Sequence, residues 1–354
     1  MLYRENGQFK STYSSDQQML PILQDRVLMG ALLVAAFVAV PLLISDYVFL
    51  SLLIPFLILT LAAIGLNLLV GYCGQISIGH AAFMAVGAYA AYNLSQRIPQ
   101  LNFLVVLVLA GLIAAAAGIL FGLPSLRIKG LYLAVATLAA QFFMDWLFAR
   151  VKWFTNYSPS GSVSPPAIEL FGWVIDSPPE KYVFLLGVLV VFTLLAKNLV
   201  RAHIGREWMA MRDMDVAAEV IGIRPVYAKL TAFAVSSFYV GVAGALWGFV
   251  HLGSWEPLAF NLNLSLNLLF MIIIGGMGSL LGSYFGAAFI VALPILLNQV
   301  PAWLGMPIST EMASHLEFMI FGALIVLFLI VEPHGLARLW AIGKEKLRLW
   351  PFPH

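Results

Sequence analysis

The sequence predicts an all-α, polytopic membrane protein of about ten transmembrane helices with both termini in the cytoplasm. Composition is the first reason: of 354 residues, 62% are hydrophobic and 10% charged, with a mean hydropathy of +0.94. Soluble domains carry roughly 45–50% apolar and about 25% charged residues. The second reason is grouping, because the apolar residues fall in blocks of about 18–22, the length that crosses a bilayer core as a helix. Only a helix or a closed barrel satisfies its own backbone in lipid. The third reason is where the positive charges lie. Disorder, nucleic-acid binding and a secreted disulfide scaffold are excluded by the same numbers. A net charge of +2 and one cysteine, Cys73, say nothing about an anionic partner or a redox compartment.

The first five apolar stretches run at about 27–44, 47–70, 76–94, 103–123 and 131–148. Five more follow at about 182–200, 229–252, 262–281, 283–300 and 316–331. Glycines and polar residues interrupt the junctions between the second and third and between the eighth and ninth. Re-entrant or broken helices are therefore expected there. With the N-terminus inside, Arg4, Lys10, Arg26, Arg127, Lys129, Lys197, Arg201, Arg206, Arg212, Arg224, Lys229, Arg338, Lys344, Lys346 and Arg348 lie on or near the cytoplasmic side. Only Arg97, Arg150, Lys152 and Lys181 fall outside, a strong positive-inside bias. An even number of spans returns the C-terminus to the cytoplasm. Glu5, Asp16 and Asp25 precede the first apolar block, and Pro41 and Ser45 lead into the next, so that block is read as an uncleaved anchor.

The outer loop, 149–181, carries Ser158-Pro159-Ser160-Gly161-Ser162 and two Pro-Pro pairs and is expected to be irregular. The inner loop, 201–228, differs. Between Gly205 and Gly222, Trp208, Met211, Val216, Ala217, Val220 and Ile221 recur at roughly helical spacing, with Arg206, Glu207, Arg212, Asp213, Asp215 and Glu219 filling much of the rest. This predicts one or two short amphipathic helices joined near Asp213 and capped by Gly222, with Pro225 preventing simple continuation. Such an element either lies against the membrane surface or fits a groove on a cytoplasmic partner.

Polar residues inside the spans mark either a pathway or contacts between helices. Asn67, Gln75, Ser77, His80, Tyr89, Tyr92 and Asn93 form the densest set, and Asn261, Asn263, Ser265, Asn267 and Ser279 repeat the style later. His80 has no carboxylate or cysteine at metal-ligand spacing, so a packing or gating hydrogen bond is expected and no metal site. Leu66-Asn67-Leu68-Leu69 recurs as Leu266-Asn267-Leu268-Leu269, the trace of a parallel internal repeat. Asp145 and Glu317 stand near span ends and form no paired proton relay.

Four segments carry a resemblance. They are Gly205-Arg206 with Ala210, Arg212-Asp213, Ala217-Ala218-Glu219 and Gly222-Ile223; Gly74-Gln75-Ile76-Ser77-Ile78-Gly79-His80-Ala81-Ala82-Phe83; Leu126-Arg127-Ile128-Lys129-Gly130-Leu131-Tyr132-Leu133-Ala134; and Ile274-Gly275-Gly276-Met277-Gly278-Ser279. In this order, over about 60–332, the chain resembles the permeases of branched-chain amino-acid ABC importers, of the LivM type. Phe142-Phe143-Met144-Asp145 departs from the more polar run such permeases often have.

The resemblance implies a cytoplasmic segment 1–26, a transmembrane permease domain 27–332 and a cytoplasmic tail 333–354, in a bacterial inner membrane. It implies coupling to ATPase subunits through Gly205, Arg206, Arg212, Asp213, Ala217, Ala218, Glu219 and Gly222. The pathway or gating set is Asn67, Gln75, Ser77, His80, Tyr89 and Asn267. Its implied partners are a second permease in a heterodimer, two ATP-binding subunits and a periplasmic solute-binding protein. The chain itself is expected to bind no cofactor and to be no enzyme, since it has no Gly-x-x-x-x-Gly-Lys-Ser/Thr loop and ATP is used by the partners. Branched-chain amino acids are the default solute; other amino acids, urea, short amides and aromatic acids are served by similar permeases. A stand-alone secondary transporter or channel is the alternative, and a membrane enzyme ranks below it for want of a catalytic constellation.

Overall fold

The computed structural model describes residues 12, 23–126, 130–158, 160–170, 172–303, 310–331 and 335–349. Arg4, Lys10, Arg127 and Lys129, most of the expected segment 1–26 and tail residues 333, 334 and 350–354 lie outside the described residues.

Thirteen helices follow one another among these residues, and eight are long and apolar enough to cross a membrane. Those eight are α1 (Asp25–Leu43), α2 (Asp46–Tyr72), α4 (Phe103–Gly122), α5 (Leu131–Arg150), α6 (Pro178–Arg201), α9 (Pro225–Leu252), α10 (Leu262–Gly275, led in by a 3-10 turn, Pro257–Phe260) and α11 (Leu280–Trp303). At the places of the third and tenth expected spans stand α3 (His80–Arg97) and α12 (Thr310–Val331). Helix α3 is the most polar of the ten in sequence because it is enclosed: every residue from His80 to Tyr89 is buried, so it needs no lipid-facing surface. Two short helices, α7 (His203–Asp213) and α8 (Asp215–Val220), form the inner loop, and α13 (Gly335–Leu349) ends the described chain.

Burial ranks the helices. In α9, 78% of the most apolar window is buried and in α2 67%, against none in α1. Helices α2 and α9 are the core and α1 lies at the periphery. The core packs through glycine: a Cβ on Gly87 would overlap the backbone of Gly241, and one on Gly244 would overlap the backbone of Met84. Backbones that approach this closely tie α3 to α9 by dispersion contact, the usual glue where lipid removes the hydrophobic drive. In α1 and α2, π-helical turns at Ala35–Ala39 and Phe49–Leu53 come just before Pro41 and Pro55. Proline lacks an N–H and crowds the carbonyl four residues back, which widens the preceding turn.

Both ambiguous junctions are broken. After a third π turn (Leu68–Tyr72) the chain runs without helix from Cys73 to Gly79, so the third span begins as irregular backbone rather than as a helix from about residue 76. The second break is Gly276–Ser279, between α10 and α11. One expectation needs correction. The outer loop is not wholly irregular, because Ile168–Leu170 (β1) pairs antiparallel with Trp173–Ile175 (β2), and Val163 bridges to Trp255. The tail folds as helix α13, whose Lys344 Nζ lies 3.3 Å from the Asp25 carboxylate of α1. The start of α1 and helix α13 therefore share one end of the bundle.

Candidate functional site

Two hydrogen-bonded clusters sit at the helix breaks, one within the bundle and one beneath it. The first surrounds the start of α3. His80 is fully enclosed, with Nδ1 2.7 Å from Ser77 Oγ and Nε2 2.9 Å from Ser236 Oγ of α9. A neutral imidazole donates through one nitrogen and accepts through the other, so the two hydroxyls complete it. The buried amides in the first turn of α3, short of partners within the helix, are met by neighbours, Ala82 N–H also reaching Gly79 O at 3.2 Å. Ala81 N–H donates to Ser265 Oγ of α10 (2.8 Å) and Ala82 N–H to Gln141 Oε1 of α5 (2.8 Å). Ile78 N–H donates to Thr137 Oγ1 (3.0 Å). Gln141 also receives Ser265 Oγ–H (3.1 Å) and donates to Phe260 O (2.8 Å) and Asp145 Oδ1 (3.0 Å). Four helices, α3, α5, α9 and α10, thus meet at one unwound segment.

The second cluster joins α2, the 276–279 loop and the inner helices. Asn67, fully buried, accepts from Gly278 N–H (2.9 Å) and donates to Ser279 O (2.8 Å) and Ser283 Oγ (3.0 Å). Four residues on, Gly71 presents its carbonyl to Arg212 Nη1 of α7 (2.9 Å). Arg212 also grips Asp213 Oδ1 through Nε (3.0 Å) and Nη2 (2.9 Å). Gly74, at φ +73°, turns the chain against Arg212; a Cβ there would lie 2.9 Å from Arg212 Cγ and in a conformation side chains rarely adopt.

The remaining expected residues distribute unevenly. Gln75 donates to Cys73 Sγ (3.2 Å), while its Oε1 is buried without a partner among the described residues. Tyr89 is remote from His80 in role: its ring stacks on Phe148 (4.5 Å between centroids), it meets Trp255 edge-on, and its buried hydroxyl has no partner among the described residues. Asn267 is half-buried and makes no side-chain hydrogen bond among the described residues, so the repeated Leu-Asn-Leu-Leu does not repeat the Asn67 clamp.

The inner loop forms two helices joined at extended Met214 (φ −161°, ψ 93°), and this splits the expected apolar stripe. Trp208 and Met211 turn inward, Trp208 Nε1 donating to Thr231 Oγ1 of α9 (3.2 Å), and Ala218 is buried. Val216, Val220 and Ile221 are 67%, 83% and 75% exposed. Ala217, Arg206, Asp213, Glu219 and Gly222 are exposed as well, whereas Gly205 is buried, a Cβ there overlapping the Val200 backbone. Gly222 closes α8 with φ +94°, Ile223 N–H reaching Ala218 O and Gly222 N–H reaching Glu219 O, the two bonds of a glycine C-cap. Sequence reasoning missed Gln141, Thr137 and Ser236. A glutamine and a threonine inside the apolar run 131–148 were the available signal.

A bundle of apolar helices broken twice at polar, glycine-lined junctions, with a helical knob at one end, is the architecture of a membrane transport component. Residues 48–329 match the family described as "Branched-chain amino acid transport system / permease component", and the chain belongs to that family. It is a multi-pass protein of the bacterial inner membrane. It is 32% identical over 303 residues to the high-affinity branched-chain amino acid transport system permease protein LivM of Salmonella typhimurium, covering 79% of this chain and 68% of that one. The same figures hold for LivM of Escherichia coli. It is also 29% identical over 202 residues to the autoinducer 2 import system permease protein LsrC of Klebsiella pneumoniae, covering 54% of this chain and 55% of that one. No solved structure matches.

Proposed function

We propose that this chain is one of two permease subunits, paired as a heterodimer, in an ABC importer that brings branched-chain amino acids or a related small solute into the cytoplasm. The observation that carries the reading is the α7–α8 knob: an exposed apolar face (Val216, Val220, Ile221) on helices rooted in the bundle by Trp208 and Arg212. An exposed apolar patch rimmed by charge fits a partner groove better than water. Two ATP-binding subunits would seat there and hydrolyse ATP, with none bound by this chain. A periplasmic solute-binding protein would deliver solute to the opposite, outer-loop end. The unwound segment 73–79, with Asn67, Gln75, Ser77 and His80 about it, is the moving part. The polar groups at the two breaks make no paired carboxylate relay, which favours an externally driven permease over a gradient-driven one.

The test is uptake of radiolabelled leucine, isoleucine and valine, with urea and phenylalanine as comparison solutes, into proteoliposomes holding the complete transporter and its binding protein. ATP-dependent uptake that disappears when the ATPase subunits carry an inactive phosphate-binding loop is the expected result. Uptake that survives that change and follows the proton or sodium gradient overturns the proposal.

A further inference from the structure

The resemblance places Arg212 among the residues that meet the ATPase subunits, yet its guanidinium, on a side chain 39% exposed, reaches back to the Gly71 carbonyl of α2. We infer that Arg212 is an internal strut: it carries displacement of the α7–α8 knob to both helix breaks at once, and it does not itself dock the ATPase. This deepens the reading above and rests on it.

The argument is geometric. The Gly71 carbonyl lies at the end of α2, where the last carbonyls of a helix have no partner of their own. Arg212 Nη1 supplies one at 2.9 Å. The same nitrogen lies 3.2 Å from where a Gly278 side chain would begin, so this one nitrogen bridges the end of α2 and the second break while the rest of the side chain stays partly exposed. Behind it, the turn at Gly74 packs on the Arg212 stem, and that turn opens the unwound segment leading to Ser77 and His80. Asn67 pins the second break to α2 from the other side through Gly278 N–H and Ser279 O. Asp213 holds the guanidinium plane through two of its nitrogens, which fixes where Nη1 points. Trp208, Met211, Ala218 and Gly205 seat the knob against α6 and α9; Arg212 adds the link to the ends of α2 and α10, so that the knob moves together with them.

The experiment uses the complete transporter in proteoliposomes with Arg212→Ala, Arg212→Lys and, separately, Val220→Glu. For Arg212→Ala the ATPase subunits remain bound in pull-down, while solute imported per ATP hydrolysed falls by about tenfold, the size of one charge-assisted hydrogen bond. Arg212→Lys, which keeps a donor for Gly71 O but loses the fork to Asp213, recovers part of that ratio. Loss of the ATPase subunits from Arg212→Ala overturns the inference, and so does an unchanged import ratio. Val220→Glu should release the ATPase subunits; if it does not, the docking reading fails while the Arg212 result stands by itself. Should Arg212→Ala not accumulate as folded protein, hydrogen exchange in the unaltered transporter decides. Peptides covering 72–79 and 275–280 should change protection together on ATP trapping, and an unchanged 72–79 segment overturns the strut.

Discussion

Replacing Asn67 by alanine removes the clamp between α2 and the second helix break, and its cost follows from the bonds it makes. The side chain is fully buried and holds three partners: Gly278 N–H, Ser279 O and Ser283 Oγ. Hydrogen bonds between helices in a bilayer average about 0.6 kcal/mol, because the separated helices also find partners. Three give about 2 kcal/mol, well below the sum that counting orphaned groups in a soluble core would suggest. For a chain of this size that corresponds to a fall in melting temperature of about 3 °C. The control is built into the sequence: Asn267→Ala alters the same Leu-Asn-Leu-Leu motif where the amide is half-buried and makes no side-chain bond among the described residues. It should melt within about 1 °C of the unaltered protein. Fluorescence-detected size-exclusion melting of the two variants in one detergent gives the comparison. If both shift by the same amount, burial and bonding of Asn67 do not set its worth, and the reasoning is refuted.

Two further predictions concern packing and orientation. Gly87→Ala forces a methyl into the Gly241 backbone and should abolish folded yield, because two backbones cannot yield as a side-chain tip can; Gly187→Ala, in α6 with nothing within 4 Å of its Cβ, should be neutral or gain up to about 1 kcal/mol in helix propensity. Membrane expression and melting temperature measure both. Val220→Cys should react with an impermeant maleimide in inverted vesicles and not in spheroplasts, with labelling fading when the ATPase subunits are co-produced, while native Cys73, 4% exposed, stays unlabelled until denaturation. Labelling of position 220 from the outside would reverse the assigned orientation.

The spans, the two breaks and the knob were legible in the sequence because each has a local cause. Apolar blocks set the spans, glycine and polar runs set the breaks, and Gly222 sets the end of α8. What was not legible depends on aim. Asn67 and Asn267 share four residues of context, yet only Asn67 finds a clamp, because its partners lie more than 200 positions away on α11 and the preceding loop. Gln141 sits in an apolar run that hydropathy reads as lipid-facing, and only the packing of α5 on α3 shows that the amide points inward. The inner loop's apolar stripe is regular in sequence, but extended backbone at Met214 rotates α8 away from α7. That rotation turns one expected face into a buried anchor and an exposed patch.

The way the 73–79 segment is satisfied bears on what it can do. Non-helical backbone survives inside an apolar bundle only if its amides and carbonyls are met. In a regular helix that satisfaction is internal, and moving a neighbour costs it nothing. Here Gly74 and Gln75 N–H still reach the α2 carbonyls of Val70 and Leu69. Ile78 N–H, by contrast, is met by Thr137 of α5, and the first turn of α3 that follows leans on Ser265 of α10 and Gln141 of α5. The end of the segment is therefore held in part by neighbouring helices. When α5 or α10 shifts, Ile78 and the first turn of α3 must follow or surrender hydrogen bonds. Such an arrangement favours two discrete settings over a continuum, which is the property required of a gate that is driven from one end of the bundle and opens elsewhere.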